Sequence, residues 1–478
     1  MAKFEANIVV IGAGSGGLVA SLIAAAVKAK VILIERDKMG GDCLNTGCVP
    51  SKALLRSAKI ANYMQRAEEF GLQAVDVKPV FKDVMRRVQD VVATIEPHDS
   101  VERFTGLGVE CVMGEADIID RHTVQVGDRQ IRTKNIIIAA GARPFVPPIE
   151  GVDKVGYLTS DTIWKLKEQP KRMVVLGGGP IGCEMAQAFA KLGTQVTIVE
   201  MLDQLMGRED QDVAEHIRDR FTQDGIRVLT GHKAARFIDG REKTLVCESD
   251  DGEVSIAFDQ VLIAVGRKAN SDGMQLDKLG IKLRANGTIE TDAYLRTSVP
   301  NIYACGDIAG PYQFTHTASH QAWFATVNAL FGFAKKFKVD YRVIPWATFT
   351  MPEVARVGIN EREAKKQRLS YEVTRYQIDD LDRAIADGEA HGFVKVITPK
   401  GKDTVLGVTI VGHHAGDLIA EYVLAMKYNI GLNKLLGTIH LYPSLAEANK
   451  FVAGNWKRNN QPHGLLRWVE RFHAWRRG

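Results

Sequence analysis

A chain of 478 residues is longer than one hydrophobic core usually organises, so several domains are expected. Its 45% hydrophobic and 25% charged residues are those of an ordinary soluble globular protein, which excludes a disordered or fibrous chain. The net charge of +5 is carried entirely by residues 455–478, where six basic residues face one acid, so a genome-wide nucleic-acid-binding role is excluded as well.

The first element, Ala6 to Val27, is uncharged and long enough to span a bilayer. Glycines 12, 14, 16 and 17 instead break it into an apolar strand, a turn and a small-residue helix, and no basic leader with a cleavage site precedes it. A cytoplasmic protein is expected. Six cysteines (Cys43, Cys48, Cys111, Cys183, Cys247 and Cys305) are too few for a secreted disulfide scaffold, and none forms a zinc-type CxxC pair, so no metal site is expected.

An internal repeat follows. Ile8 to Ile11, then Gly12, Gly14 and Gly17, lead to the strand Val31 to Ile34 and to Glu35; Met173 to Leu176, then Gly177, Gly179 and Gly182, lead to Val196 to Val199 and to Glu200. Each acid falls 23 positions after its first glycine. Such glycines let a turn tighten and the backbone approach a pyrophosphate at a helix N-terminus, while the carboxylate ends the next strand beside a ribose hydroxyl. Two dinucleotides are therefore expected. A carboxylate accepts from a free 2′-hydroxyl and repels a 2′-phosphate, which points to FAD at one site and NAD(H) rather than NADP(H) at the other. The alternative is that Glu200 faces solvent and Arg208 takes a phosphate.

Between the two units lies Gly40-Gly41-Asp42-Cys43-Leu44-Asn45-Thr46-Gly47-Cys48-Val49-Pro50-Ser51-Lys52. This segment resembles the class I flavoprotein disulfide reductases, the pyridine nucleotide-disulfide oxidoreductases that include dihydrolipoamide dehydrogenase, glutathione reductase and mercuric reductase. The likeness extends through Ala139 to Pro144 with Gly141, Ala264 to Arg267 with Gly266, Tyr303 to Asp307, and Phe349 to Gly358. It implies an enzyme with an α/β fold: two Rossmann-type domains, for FAD (residues 1–150 and 268–339) and NAD (151–267), and an α/β dimerisation domain (340–455). Cys48 is implied as the thiol facing the flavin, Cys43 as the one exchanging with a small-molecule acceptor or dithiol, Lys52 as a cation near the flavin paired with Glu184, and Asp307 as the ribityl contact; Gly41 is a further FAD contact. A helix over residues 43–56 would favour thiolate at the cysteines through its N-terminal amides. The other four cysteines are expected to be small buried residues.

One segment departs from the family. His440-Leu441-Tyr442-Pro443-Ser444-Leu445-Ala446-Glu447 keeps the glutamate but has Tyr442 where the proton-carrying histidine should stand. A phenol near pKa 10 shuttles protons poorly at neutral pH. Three readings compete: His440, on the same face as Tyr442 in a period-two segment, replaces the base; Tyr442 escorts a metal ion, as in mercuric reductase; or the acceptor needs no base. Local runs at Phe314 to His320 and Asp382 to Val396 resemble mercuric reductase, although the sequence has neither an added cysteine-pair domain nor vicinal cysteines near its end. His413 and His414 read as helix-start residues. A non-catalytic flavin-bearing subunit is the rival outside enzymes.

The last segment, 456–478, places Leu465, Leu466, Trp468, Val469, Phe472 and Trp475 at three- and four-residue spacing among Arg467, Arg471, Arg476 and Arg477. That is a basic amphipathic helix, expected either to dock on the body of a homodimer or to make peripheral membrane contact.

Overall fold

The computed structural model describes residues 3–73, 76 and 78–478 and falls into two compact units. The first comprises Met1–Gln65, Asp76–Asp203 and Thr222–Asp340. Its largest sheet has seven strands: Val109–Met113, Val31–Glu35, Ala6–Ile11, Arg129–Ile138, Thr123–Val126 and Ala116–Asp120 in that order, with Ile302–Ala304 pairing on Arg129–Ile138. Val31–Glu35, Arg129–Ile138, Val109–Met113 and Ile302–Ala304 run parallel to Ala6–Ile11 or to one of its neighbours, in a register that sets Ile8 beside Val31 and Asn135. Parallel strands covered on both faces need unbroken apolar runs, and Val9, Val10, Ile32 and Ile136 are fully buried.

The second glycine unit forms its own parallel sheet, Arg227–Leu229, Gln195–Val199, Arg172–Leu176 and Gln260–Ile263. A three-stranded antiparallel sheet follows over 233–257. Two segments distant in sequence, Ala142–Pro144 and Arg267–Ala269, then join as an antiparallel ribbon with Arg267 opposite Pro144. The α/β fold with two Rossmann-type halves is thereby observed.

The other unit gathers Arg66–Val75, Gln204–Phe221 and Tyr341–Gly478. Its five-stranded antiparallel sheet has the order Pro345–Thr348, Glu353–Gly358, Gly407–Gly412, Phe393–Pro399 and Tyr371–Gln377. Helices Ala415–Lys427 and Glu447–Asn459 pack on it through Tyr422, Val452 and Trp456. Charge holds segment 204–221 in place. Lys395, fully buried, reaches Asp210 at 2.8 Å, Asp212 at 2.7 Å and Glu361 at 3.2 Å, while Arg356 lies 3.3 Å from Glu209 and 4.2 Å over the Trp346 ring. Removing one side of such a buried set strands the other charges and costs about 3–5 kcal/mol. Arg208, the alternative phosphate ligand, belongs to this segment.

Among the described residues no helix is long and apolar enough to cross a membrane. His414 caps helix Ala415–Lys427 in a left-handed conformation at φ 56°, and its Nδ1 lies 3.0 Å from Asp417, in keeping with a helix-start role for the histidine pair.

Candidate active site

The two glycine turns are near copies. Gly12 has φ +99° and Gly177 φ +103°, a region closed to most side chains, and an added Cβ would lie 2.6 Å from the Ala139 carbonyl oxygen in one and 2.5 Å from that of Ala264 in the other. Cβ atoms on Gly17 and Gly182 would lie 1.7 and 1.9 Å from the carbonyl oxygens of Gly12 and Gly177. Gly14 and Gly179 stand immediately before helices Ser15–Ala26 and Pro180–Lys191, so the first amides of both helices open toward the turn.

Each acid has a task that sequence reasoning missed. Glu35 accepts from the Ala13 amide at 2.7 Å and the Asp37 amide at 2.9 Å; Glu200 accepts from Gly178 at 2.6 Å and Leu202 at 2.8 Å. Both carboxylates thus brace their own turns, and a carboxylate has lone pairs left for ribose hydroxyls.

The cysteine loop is built on the first turn. Gly41, at φ +55°, packs so closely that a Cβ would lie 2.6 Å from the Gly14 Cα. The expected single helix over 43–56 is two helices, Gly41–Asn45 with Cys43 and Cys48–Gln65 with Cys48 at its first position. The break falls at Thr46-Gly47, where Thr46 bonds back to the Asp42 carboxylate and Asn45 donates to the carbonyls of Met39 (2.9 Å) and Gly41 (2.8 Å). Trp164 fastens the loop from outside, its indole donating to the Thr46 carbonyl at 2.8 Å.

That break gives the two sulfurs different surroundings. Both are thiols in this structure, Cys43 half-buried and Cys48 exposed. A hydrogen bond from the Cys43 thiol lowers Cys48 to about 6, against the opposing effect of burial and with help from Thr315 and the Lys52 charge. Cys43 moves the other way, raised by the same bond and by burial. Thr315, first residue of helix Thr315–Phe331, lies 3.4 Å from the Cys48 sulfur. Lys52, one helical turn beyond Cys48, meets the buried Glu184 carboxylate at 2.8 Å.

A second charge cluster faces the loop. Arg267 reaches Asp42 at 2.6 Å and lies 3.5 Å from Asp307, whose carboxyl is raised by burial despite that cation. The buried Arg267 Nε has no hydrogen-bond partner. Gly141 (φ +67°) and Gly266 (φ +142°) would carry a Cβ into open space. A glycine turn at a helix N-terminus, an acid closing the next strand, the half-buried Asp307 carboxylate beside Arg267 and a guanidinium nitrogen without a hydrogen-bond partner are the donors and acceptors a dinucleotide needs, so the residues fit FAD. Arg267, Asp42, Thr315 and Trp164 were not legible as partners of this loop.

The segment His440 to Glu447 lies in the other unit, and here the sequence reading needs correction. It is not a strand, and His440 and Tyr442 do not share a face. His440 turns inward, its side chain 6% exposed, with Nε2 2.9 Å from Glu421 and Nδ1 3.1 Å from the Thr438 carbonyl. Both ring nitrogens are occupied. Tyr442 turns outward and donates to Asp382 at 2.9 Å, a bond that together with the Asp382 charge raises the phenol further. Glu447 begins helix Glu447–Asn459 and accepts from the Ser444 amide at 3.3 Å.

Among the remaining cysteines, Cys183, Cys247 and Cys305 are buried as expected, with Cys247 pushed up to about 11 and Cys305 to about 12 by burial. Cys111 is the exception: it is only half-buried, because its strand lies at the edge of the seven-stranded sheet.

Fold and site together define a flavoprotein oxidoreductase with a paired-thiol centre. Residues 6–322 match the pyridine nucleotide-disulphide oxidoreductase family and residues 344–452 its dimerisation domain, and the chain belongs to that family. It is thus an FAD- and NAD(P)-dependent oxidoreductase. It is 35% identical to a dihydrolipoyl dehydrogenase of Chlamydia trachomatis, over 92% of this chain and 94% of that one. A mercuric reductase of Staphylococcus aureus is 33% identical, over 94% and 82%. Among solved structures, the HOCl-induced flavoprotein disulfide reductase RclA from Escherichia coli is similar at a TM-score of 0.84, with 26% identity over 94% of this chain and 99% of that one. RclA has also been solved as a Cu(II) complex.

Proposed function

We propose that this enzyme is an NADH-dependent reductase that passes an electron pair through Cys48 and Cys43 to a disulfide acceptor. The carrying observation is the asymmetry of the sulfurs: one thiol donates to the other, and Cys48 is lowered to about 6. In a reduced pair at neutral pH that keeps Cys48 as thiolate and leaves Cys43 a protonated thiol.

Gly12, Gly14, Gly17, Glu35, Gly41, Gly141 and Asp307 are proposed to hold FAD, in residues 1–150 and 268–339. Gly177, Gly179, Gly182, Glu200 and Gly266 are proposed to hold the nicotinamide dinucleotide, in 151–267. The flavin, when bound, accepts hydride from the nicotinamide and delivers the electron pair to sulfur. Overall, NADH and the Cys43–Cys48 disulfide give NAD⁺, the Cys43 thiol and the Cys48 thiolate: the S–S bond breaks as two electrons and one proton arrive, and the proton needed to release both acceptor thiols is taken up in the next step. The dithiol then closes again as it breaks the S–S bond of the acceptor, releasing two thiols. Lys52, held by Glu184, supplies a fixed positive charge beside Cys48. Preference for NADH is supported by Glu200, which would repel a 2′-phosphate. The dimerisation domain supports a homodimer, expected at twice the 52.7 kDa chain by light scattering.

A second reading of the acceptor is favoured by Tyr442. With a bound phenol in place of an imidazole, an acceptor that consumes electrons and thiolates without a proton carrier suits the site better, and a thiophilic metal ion is such an acceptor. The relatives' names cover both readings, and the Cu(II) complex of RclA keeps the second in view.

The test is one equivalent of NADH added anaerobically to the FAD-loaded protein. A two-electron form with a long-wavelength absorbance band that is lost in Cys48→Ser is expected. Reduction by NADPH and not NADH would overturn the assignment of Glu200, and an NADH response that Cys48→Ser leaves intact would overturn the relay. Comparing lipoamide with Hg²⁺ and Cu²⁺ as acceptors then separates the two readings.

A further inference from the structure

The chain beyond the family match, which ends at residue 452, is not consumed by anything described so far. Helix Glu447–Asn459 closes firmly: Trp456 is buried and donates to Glu372 at 2.7 Å, and Asn460 meets the same carboxylate at 3.1 Å. After Gln461 and Pro462 a separate helix runs over His463–Arg477, with no buried residue along it.

At 100° per residue, Leu465, Trp468, Val469, Phe472 and Trp475 fall in one stripe about 120° wide, while Leu466 lies off it. Three rings make that stripe continuous: Trp468 and Phe472 stack at 5.9 Å, and Phe472 and Trp475 lie 6.1 Å apart. Trp468 is 63% and Trp475 76% exposed. Arginines 467, 471 and 477 lie around the rest of the helix, and Arg476 extends over the Phe472 ring at 5.9 Å.

Charge decides what covers this face. The six basic residues and one acid of 455–478 account for the whole net charge of +5, so residues 1–454 are formally neutral and offer the helix no net opposite charge. A second copy of the helix, set stripe to stripe against the first by a twofold axis, would press Arg476, which lies on the stripe over Phe472, into the apolar seam. An anionic bilayer surface supplies both requirements, an interfacial apolar layer for the tryptophans and phenylalanine and negative headgroups for the arginines. We propose that helix His463–Arg477 is an in-plane anchor that seats this enzyme on anionic lipid. At 15 residues it lies on the surface and does not cross it.

The experiment is co-sedimentation of the FAD-loaded full chain with vesicles of phosphatidylcholine alone and of phosphatidylcholine mixed with phosphatidylglycerol. Partition onto the anionic vesicles should exceed that onto neutral ones by about tenfold or more at low salt and collapse at high salt. A chain ending at Asn460, and a full-length Trp468→Ser, Phe472→Ser, Trp475→Ser variant, should both lose it while oxidising NADH at the unaltered rate, since every changed residue lies outside the folded cores. Binding retained by either variant, equal binding to neutral vesicles, or no binding by the full chain would overturn the proposal. So would a vesicle-free assembly larger than the dimer that disappears on truncation, because it would show a second copy on the stripe. None of these outcomes bears on the Cys43–Cys48 relay, which the NADH titration tests separately.

Discussion

The cysteine loop and the segment from His440 to Glu447 treat their reactive groups in opposite ways. In the loop, the hydrogen bonds of Asn45, Thr46 and Trp164 fix the backbone, and the groups around Cys48 draw its thiol down to about 6. In the other segment, the groups that could move a proton are tied up: His440 is held by Glu421 and Thr438, and Tyr442 by Asp382, which raises its phenol. The difference teaches that the fold lowers a thiol in one segment and ties up an imidazole and a phenol in the other, which on the proposed relay favours electron transfer over proton transfer at neutral pH.

The largest effect should come from breaking the better-built side. Cys48→Ser should cut NADH-dependent reduction of a disulfide acceptor by about 10³-fold or more, measured by steady-state NADH oxidation. Rebuilding the weaker side is the next largest change: Tyr442→His should raise turnover with lipoamide by about 10²-fold, at the low end of what a positioned acid–base group contributes. No gain would mean that the proton step does not limit the reaction.

Removing one support of the thiolate should be milder. Thr315→Val takes away the hydroxyl 3.4 Å from the Cys48 sulfur and should raise that thiol, with Thr315→Ser restoring it. The sign follows from the lowered value: thiolate persists above about 6 and is lost as pH falls through it, so the wild-type rate should fall at that point and the Thr315→Val rate at higher pH. Thiolate absorbance of the reduced protein, followed against pH, reads this without catalysis. Smallest of all, Asp382→Asn should let the Tyr442 phenol relax toward its ordinary value and change the pH profile only above neutrality, by a few-fold in rate.

What the sequence disclosed was whatever local geometry dictates. The glycine turns were legible because an added Cβ at Gly17 or Gly182 would collide with the backbone five residues earlier, a constraint that leaves a fixed spacing. The tail helix was legible from its periodicity. The environment of Cys48 was not, because Thr315 comes from 267 positions away and Arg267 meets Asp42 only once strands 142–144 and 267–269 have paired. Alternation misled at His440, where the period-two reading implied one face for two side chains that diverge; the deciding partner, Glu421, sits on a helix 19 positions earlier. The break at Thr46-Gly47 is fastened both locally, by Asp42 four residues earlier, and by Trp164 from 118 positions away, and only the second contact was hidden by distance.

The central claim, that electrons from NADH arrive at Cys43 and Cys48, is tested most directly by counting thiols. FAD-loaded protein is treated anaerobically with one equivalent of NADH, quenched with an alkylating reagent and mapped by mass spectrometry. Two newly alkylated cysteines per chain, at positions 43 and 48 and nowhere else, are the predicted result. Consumption of NADH with neither cysteine becoming alkylated would contradict it.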